Sequence, residues 1–213
     1  MLKLECPLCS DKNSIKYHSD SCRRYWQCGR CALVYVDPAQ RLSSAQEKAE
    51  YDKHQNSAQD TGYRKFLSRL CDPLSDCLPA SAQGMDFGCG PGPALSSIMA
   101  ERGFSISDYD IFYADDRELL NRSYDFITAT EVVEHLFEPG AVLAQLWRLI
   151  NAGGVLALMT KMVIDKNAFA KWHYKNDQTH VCFFSIETFQ YLAGQLNAEL
   201  SIVDQDVIFL KKK

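Results

Sequence analysis

A glycine-rich turn near the middle of the chain constrains the fold more than any other feature of the sequence. The motif DFGCGPG, residues 86–92, follows a short apolar run and precedes a segment with helical apolar spacing. Glycines let the backbone approach a ligand closely, and the first turn of the following helix offers unpaired N–H groups. The motif therefore predicts a strand–turn–helix unit that binds a nucleotide-like ligand.

The chain around this turn alternates apolar runs with helical segments, a pattern typical of βαβ units. Strands are predicted at 84–87, 104–109, 124–129 and 153–160, and helices at 93–103, 140–150 and 186–195. The last two apolar runs, 200–203 and 207–210, flank a polar Asp-Gln-Asp turn and predict a hairpin. We expect an α/β fold with a Rossmann-like doubly wound sheet and a C-terminal antiparallel hairpin.

A carboxylate follows the second predicted strand of this unit. The strand ends at Asp108-Tyr109-Asp110, about twenty residues after the glycine turn, where a carboxylate can bind both hydroxyls of a ribose. The glycine turn and this carboxylate together indicate an adenosyl cofactor without identifying it.

Three motifs in this order resemble class I S-adenosylmethionine-dependent methyltransferases. They are DFGCGPG at 86–92, YDFITATEVVEH at 124–135, and LINAGGVL at 149–156, which is similar to the L-x-P-G-G turn of that family. The resemblance covers residues 84–210 and implies methyl transfer from S-adenosylmethionine. Two departures are the missing proline at 151–152 and the short link from Asp110 to Tyr124, where the family has a helix and a third strand.

Carried over residue by residue, the resemblance implies a cofactor site in four parts. The methionine part is expected at Asp86, Gly88, Gly90 and Gly92, the ribose at Asp110, the adenine at Ile111 and Phe112, and the sulfonium near Thr130 and Glu131.

The candidate catalytic residues are Glu131, Glu134, His135 and His180. On a helical turn Glu131 would share a face with both Glu134 and His135. The cluster is similar to one that can hold a divalent metal in ubiquinone-pathway O-methyltransferases and small-RNA 2′-O-methyltransferases, which makes magnesium a candidate ion with His180 as a further ligand. A general-base role for His135 or His180, and a purely structural His135, are the alternatives.

The segment 172–180, WHYKNDQTH, lies where the family carries a substrate-facing insertion. Its aromatic and polar side chains suit a planar or polar methyl acceptor, and they would equally suit a loop that covers the sheet.

Two cysteine pairs define the start of the chain. Cys6-Pro-Leu-Cys9 and Cys28-Gly-Arg-Cys31 are separated by 18 residues. Four thiolates at this spacing predict a zinc ribbon with a closed, structural tetrahedral site. We expect three regions: the ribbon at 1–36, called the head below, a helical linker or lid at 37–83, and the cofactor-binding domain at 84–213.

The distribution of charge along the chain bears on the class of methyl acceptor. The net charge is −4, yet residues 1–36 carry six basic and three acidic side chains. The acidic total argues against a chain that coats nucleic acid, so a small-molecule acceptor is expected. An RNA methyltransferase, in which Tyr17, Tyr25, Trp26 and Tyr35 stack on bases beside Arg23 and Arg24, is the alternative. A non-catalytic cofactor-binding protein is the alternative of another class.

The sequence also carries an expectation about location. It contains neither a secretory signal nor a run of about 20 apolar residues, the length that a membrane helix needs. We therefore expect a cytoplasmic protein without a membrane partner, in which the nine cysteines are mostly reduced.

Overall fold

Ten strands and six α-helices organise the residues that the computed structural model describes, 4–53 and 57–213. The strands are β1 Ser14–Ser19, β2 Arg24–Cys28, β3 Val34–Val36, β4 Gln83–Phe87, β5 Ser105–Tyr109, β6 Tyr124–Thr130, β7 Ile150–Met159, β8 Cys182–Phe183, β9 Ala198–Asp204 and β10 Val207–Lys212. The helices are α1 Ser44–Tyr51, α2 Thr61–Cys77, α3 Ala94–Glu101, α4 Pro139–Leu149, α5 Lys166–Ala170 and α6 Ile186–Leu196. Short 3₁₀ helices occur at Pro38–Gln40, Arg117–Asn121, Val133–His135 and His173–Asn176.

The larger sheet has six strands in the order β5-β4-β6-β7-β10-β9. The four strands β5, β4, β6 and β7 are parallel, and β10 pairs antiparallel with both β7 and β9. This arrangement confirms the predicted α/β sheet with its C-terminal hairpin. The chain leaves β4 towards β5 on one side and later returns to β6 on the other, so the carboxyl end of β4 is the topological switch point.

Both faces of this sheet are buried. Along β7 the side chains of Leu156 and Leu158 belong to one apolar cluster, and those of Val155, Ala157 and Met159 belong to another. This alternation follows the two-residue period of a strand. Helices α2 and α3 contribute to the second cluster, while α4, α6 and the head contribute to the first, so the sheet is covered on both sides as the doubly wound class requires.

The short link after β5 contains neither an α-helix nor a further strand of the sheet. Asp110 and Ala114 form an isolated bridge, which is followed by the 3₁₀ helix Arg117–Asn121. Strand β5 is therefore the edge of the sheet within the described residues. This agrees with the departure from the family pattern that the sequence indicates.

The head is joined to the rest of the chain through a second sheet. Its strands β1, β2 and β3 are antiparallel, and β8 extends them in the order β1-β2-β3-β8. Next to this pairing the Val36 N–H donates to the Val181 carbonyl at 2.9 Å, and the Gly140 N–H at the start of α4 donates to the Pro7 carbonyl at 3.2 Å. The head and the large sheet therefore share one apolar cluster, and the boundaries at 36 and 83 remain predictions.

The two helices of residues 37–83 have different surroundings. Helix α2 buries Leu67, Leu70, Cys71 and Leu74 in the cluster that it shares with α3. Helix α1 lies over the carboxyl edge of the large sheet, where the Tyr51 ring is 5.8 Å from the ring of Phe112 and 5.3 Å from that of His135. No helix among the described residues has both the length and the apolar character that crossing a bilayer requires.

Candidate active site

The predicted cofactor residues lie together at the carboxyl ends of β4, β5 and β6. The glycine turn follows β4, Asp110 follows β5, and Thr130 is the last residue of β6. In open parallel sheets this edge, at the switch point, is where ligands bind. The order of the strands therefore brings residues that are distant in the chain to one crevice.

The glycine turn has backbone dihedral angles that are energetically costly for residues with a side chain. Gly88 has φ +81° and Gly90 has φ +66°. A Cβ on Gly88 would lie 2.5 Å from Cγ2 of Val132, whereas a Cβ on Gly90 would meet no described atom within 4 Å. The N–H groups of Gly88 and Cys89 donate to the Tyr109 carbonyl at 2.7 and 3.2 Å. Gly88 thus packs against the floor of the crevice, while Gly90 faces open space.

Asp110 joins the turn to the second strand. Its Oδ2 accepts from the Gly90 N–H at 3.0 Å, and its Oδ1 accepts from the N–H groups of Phe112 and Tyr113 at 2.8 and 3.2 Å. A carboxylate has about four acceptor positions, so capacity remains for a ribose hydroxyl. Beside it, Ile111 is 61% exposed and Phe112 is half-buried, which provides an apolar flank.

Asp86 has a different environment from the other cofactor candidates. It is 4% exposed and lies at the end of β4, where its Oδ1 accepts from the Thr128 hydroxyl at 2.7 Å. Burial raises the pKa of this carboxyl to about 7. A buried carboxyl in this position supports the glycine turn from below.

The floor of the crevice contains buried polar atoms without a hydrogen-bond partner among the described residues. They are Oγ1 of Thr130, Oε1 of Glu131 and Oε2 of Glu134. Glu131 also has φ +54°, a left-handed conformation that is costly for a residue with a side chain. Buried polar groups are nearly always paired, so these atoms fit the polar groups of a bound ligand. With the glycine cradle and Asp110, they suit an adenosyl cofactor that carries an amino acid.

Tyr174 links the acidic residues. Its hydroxyl forms a short hydrogen bond with Oε1 of Glu134 and lies 3.3 Å from Oε2 of Glu131 and 3.3 Å from Oγ1 of Thr160. Burial raises the pKa of Glu131 to about 7. Burial and the neighbouring charge of Glu131 raise the pKa of Glu134 to about 8. The two carboxyls therefore titrate together near neutral pH and hold protons there.

The two candidate histidines lie side by side, with ring centroids 4.6 Å apart. Nδ1 of His180 is 2.8 Å from the Tyr174 carbonyl, and Nδ1 of His135 is 3.3 Å from the Thr179 carbonyl. A carbonyl only accepts, so Nδ1 carries the proton in each ring, and Nε2 is the basic atom of each neutral ring. Burial lowers the pKa of His180 below its ordinary value.

The four cysteines of the head converge as their spacing predicts. Their sulfurs all lie within 4.8 Å of one another, with Cys6 and Cys31 at 3.5 Å and Cys9 and Cys28 at 3.5 Å. Zinc–sulfur bonds of about 2.3 Å place tetrahedral ligands about 3.8 Å apart, so the cluster has the dimensions of a zinc site. A hydrogen bond from the Cys31 thiol lowers the pKa of Cys6 to about 6. The four thiol groups fit a closed metal site in which four thiolates bind one ion.

The family is shown by the sequence match. Residues 59–201, about two thirds of the chain, match the methyltransferase domain family. The chain belongs to this family. Its resemblance to class I S-adenosylmethionine-dependent methyltransferases is thereby confirmed, whereas the family match does not confirm the ribbon-bearing subset.

Individual relatives of this methyltransferase family member are distant. It is 28% identical over 81 residues to the ubiquinone biosynthesis O-methyltransferases of Pseudomonas savastanoi pv. phaseolicola and Pseudomonas syringae pv. syringae, which covers 38% of this chain and 35% of each relative. The alignment thus spans about a third of the length of these curated relatives.

Solved structures support the fold alone. A protein from Bacillus halodurans described as a methyltransferase aligns with a TM-score of 0.52 at 16% identity, over 64% of this chain and 67% of that one. An O-methyltransferase family protein from Burkholderia thailandensis aligns with a TM-score of 0.50 at 12% identity, over 78% of this chain and 62% of that one.

The structure brings together three of the four residues that were expected to hold magnesium. One ligand atom each from Glu134, His135 and His180 lies within 4.8 Å of the others, and Glu131 is not part of this group. Two imidazole nitrogens and one carboxylate oxygen are a poor set for Mg²⁺, which prefers oxygen ligands and retains several waters. The expected magnesium ion has no support in this methyltransferase.

Three of the four aromatic candidates of the head are buried. Tyr17, Tyr25 and Tyr35 are 8%, 1% and 0% exposed. The Tyr25 ring lies 5.1 Å from that of Phe169 and 6.0 Å from that of Phe183, both outside the head. The rings of Tyr17 and Tyr25 therefore pack the head against Phe169 and Phe183, whereas Trp26 is half-buried.

Sequence reasoning missed two residues of this arrangement. Tyr174 lies in the segment 172–180, whose aromatic composition was a signal, but its reach to Glu131 and Glu134 depends on contacts across the fold. Arg23 was considered only as a partner for bases, yet it is 6% exposed and faces the same segment. No local pattern distinguishes a buried arginine from an exposed one.

Proposed function

We propose that this chain is an S-adenosylmethionine-dependent methyltransferase that acts on an oxygen, nitrogen or carbon nucleophile of a small molecule. One observation carries the proposal: the glycine turn, Asp110 and the unpartnered polar atoms of Thr130 and Glu131 meet at the switch point of the sheet. The proposal has a cofactor half, made of the turn, Asp110 and Thr130, and an acceptor half, made of Glu134, His135, Tyr174 and His180, with Glu131 between them.

In the cofactor half, the roles follow the shape of the crevice. The turn of Gly88, Gly90 and Gly92 receives the methionine part, supported by Asp86 from below, and Asp110 accepts from ribose hydroxyls. The apolar side chains of Ile111 and Phe112 flank the adenine, while Thr130 and Glu131 meet the amino acid or sulfonium end. When bound, the cofactor supplies an activated methyl group, so the main task of these residues is alignment.

In the acceptor half, His180 or His135 removes a proton from the acceptor where its nucleophile carries one. His180 suits a base because its Nδ1 contacts the Tyr174 carbonyl, which leaves Nε2 as the acceptor atom, and because burial lowers its pKa and keeps the ring neutral. Oε2 of Glu134 lacks a described partner and is available to hydrogen-bond a polar acceptor.

The proposal of a small acceptor rests on the enclosure of the crevice. Tyr51 of α1 contacts the rings of Phe112 and His135 and covers the edge. The names of the curated relatives favour an oxygen nucleophile. The burial of Tyr17, Tyr25 and Tyr35 counts against stacking on an RNA acceptor, with Trp26 half-buried as the remaining ring of that alternative.

We further propose a structural zinc ion in the head. The four thiols lie 3.5 Å apart in pairs, as ligands of one ion. Thiols kept for a metal suit a reducing compartment such as the cytoplasm.

Calorimetry with S-adenosylmethionine and S-adenosylhomocysteine tests the cofactor half. We expect micromolar binding by the wild type, and for Asp110→Ala a loss of affinity of at least about 30-fold, because hydrogen bonds to a charged group contribute about 1.5–3 kcal/mol each. The matched control is Asp115→Ala, which removes an exposed ion pair with Arg117 a few residues away. Unfolding curves verify that both variants are folded.

A methyl-transfer assay tests the activity. We expect label from methyl-labelled S-adenosylmethionine to reach a member of a panel of phenols, amines and activated carbon acids. If folded, zinc-loaded wild type bound no cofactor, the proposal would be wrong. Binding without transfer across the panel, with an RNA pool included, would favour the non-catalytic alternative.

A further inference from the structure

Arg23 is a buried cation in the turn between β1 and β2 of the head. It is 6% exposed. Its guanidinium donates to four main-chain carbonyls that lie more than 150 residues further along the chain. Nη1 donates to His180 at 2.9 Å and to Gln178 at 3.2 Å, and Nη2 donates to Asp177 at 2.7 Å and to Lys175 in a shorter contact. All four terminal N–H groups of the side chain are therefore committed to one short segment.

A second contact from the same turn holds this segment, residues 174–180, which we call the acceptor segment. The Lys175 ammonium is 5% exposed and forms an ion pair with Oδ2 of Asp20 at 2.9 Å. Oδ1 of Asp20 accepts from the N–H groups of Cys22 and Arg23 at 2.9 and 2.8 Å. Asp20 thus shapes the turn that presents Arg23 and also binds the segment that Arg23 holds.

The end of the acceptor segment is held by the head as well. The Val36 N–H donates to the Val181 carbonyl, directly after His180, and β8 then pairs with β3. The segment is therefore fixed by the head at its start through Lys175, along its length through Arg23, and at its end through β3. The planar guanidinium group of arginine can donate hydrogen bonds to several carbonyls at once, whereas lysine has a single nitrogen. This pattern of contacts therefore requires arginine.

The acceptor segment carries the groups that define the acceptor half. The Tyr174 carbonyl receives the Nδ1 proton of His180, and the Tyr174 hydroxyl contacts Glu131 and Glu134. Neutral imidazole in water favours the proton on Nε2, and Oδ2 of Asp177 lies 3.9 Å from that nitrogen. The tautomer with the proton on Nδ1 therefore depends on the closer contact, at 2.8 Å, to the Tyr174 carbonyl. A shift of the segment would change which nitrogen of His180 is basic.

We propose that Arg23 is a positioning residue through which the metal-bound head holds the acceptor segment, so that His180 presents Nε2 to the acceptor. The base role of His180 rests on the proposed function; the positioning of its ring by Arg23 does not. The zinc ribbon of this chain then serves as an internal support for the acceptor half, and its arginine faces inward.

Nitrogen-15 NMR of the five histidines, together with amide hydrogen exchange, tests this in the full zinc-loaded chain. The His180 signal is assigned by its loss in His180→Gln. In Arg23→Lys we expect the His180 proton to move from Nδ1 towards Nε2. Exchange across 175–180 should accelerate at least about tenfold, because hydrogen bonds to a charged group are among the stronger ones. The matched control is Arg24→Lys, whose side chain is 53% exposed and pairs with Asp37.

A milder variant tests the same role in case Arg23→Lys does not fold. Asp20→Asn keeps an acceptor for the turn but removes the charge that pairs with Lys175, so we expect the same changes to a smaller extent. Affinity for S-adenosylmethionine should stay within about threefold of the wild type in both variants, a factor below 1 kcal/mol.

Three outcomes separate the hypotheses. An unchanged His180 tautomer and unchanged exchange in folded Arg23→Lys would overturn the positioning role. Equal changes in Arg24→Lys would also overturn it, since they would reflect general loosening of the head. Absence of cofactor binding in the wild type would count against the proposed function alone, because neither the tautomer nor the exchange measurement requires cofactor. Once an acceptor is known, Arg23→Lys should lower kcat with little change in the KM for cofactor.

Discussion

The two halves of the site are held by different parts of the molecule. The cofactor half follows from strand ends that are neighbours in one sheet, and its main contact, Gly90 to Asp110, spans 20 residues. The acceptor half is held from the head, and the contact from Arg23 to Lys175 spans 152 residues. The first half is therefore built into the sheet, whereas the second depends on docking of the head, which we propose to be held by zinc. Damage to the head should therefore impair methyl transfer and leave cofactor binding intact.

The largest expected effect is the loss of zinc in Cys6→Ser. Structural zinc contributes on the order of 10 kcal/mol to small ribbons that fold only with metal. We expect less than one zinc per chain, rapid amide exchange in 4–36 and 175–183, and loss of methyl transfer. Affinity for S-adenosylmethionine should be retained, because the glycine turn and Asp110 lie on the other sheet.

The matched control for this change is Cys22→Ser, since Cys22 is exposed and lies outside the thiol cluster. Metal content by atomic emission and cofactor affinity by calorimetry are measured on the same preparations. Stoichiometric zinc in Cys6→Ser would contradict the ribbon. Simultaneous loss of cofactor binding would contradict the independence of the two halves.

A smaller effect concerns the buried carboxyl of the acceptor half. The pKa of Glu134 is raised to about 8 in the folded chain, against 4.5 when exposed. Between pH 6.5 and 8 this carboxyl binds more protons in the folded chain than in the unfolded one, so its contribution to the free energy of unfolding falls as pH rises. Over that range we expect a fall of about 2 kcal/mol that depends on Glu134, at about 1.4 kcal/mol per pKa unit.

Urea unfolding at pH 6.5, 7.2 and 8.0 measures this fall. Glu134→Gln should remove this contribution, while Glu118→Gln, at an exposed position, should leave the pH dependence unchanged. Glu131 and Asp86, whose pKa values are both raised to about 7, act in the same direction as Glu134. The lowered pKa of Cys6 and metal binding by deprotonated thiols act in the opposite direction. The lowered pKa of His180 acts below pH 6.5 and has the opposite sign. An identical pH dependence of stability in the wild type and in Glu134→Gln would contradict the prediction.

The same contrast explains what the sequence could predict. Strands such as β7, predicted at 153–160 and found at Ile150–Met159, follow from local apolar period and turn residues. Strand β8 has two residues and therefore no period, and its partner β3 lies almost 150 residues earlier. The four cysteines were predictable because chelation requires their spacing.

Residues of the acceptor half were identified only as candidates. Glu134, His135 and His180 were predicted from their chemistry, but Tyr174 and Arg23 acquire their roles through tertiary contacts. The protonated nitrogen of His180 depends on the position of a carbonyl six residues earlier. Such information lies in the docking of the head and not in any local pattern.

The smallest expected effect on stability is that of Gly90→Ala, which can be compared with Gly88→Ala in the same turn of the cofactor half. In Gly90→Ala the new Cβ meets open space, so the cost is that of φ +66° alone, about 1 kcal/mol of stability, and the methyl group obstructs the cofactor. In Gly88→Ala the Cβ would lie 2.5 Å from Cγ2 of Val132, which adds about 1–3 kcal/mol of overpacking. Urea unfolding measures the loss of stability, and calorimetry with S-adenosylmethionine measures the loss of cofactor affinity.

The two substitutions should differ in how far their structural effects extend through the site. Val132 lies between Glu131 and Val133 on the floor shared by both halves, so Gly88→Ala should displace the floor and disturb the His180 NMR signal as well as cofactor affinity. Gly90→Ala should lower cofactor affinity and leave the His180 signal unchanged. If Gly90→Ala also altered His180, the two halves would be coupled through the glycine turn itself and would not be independent.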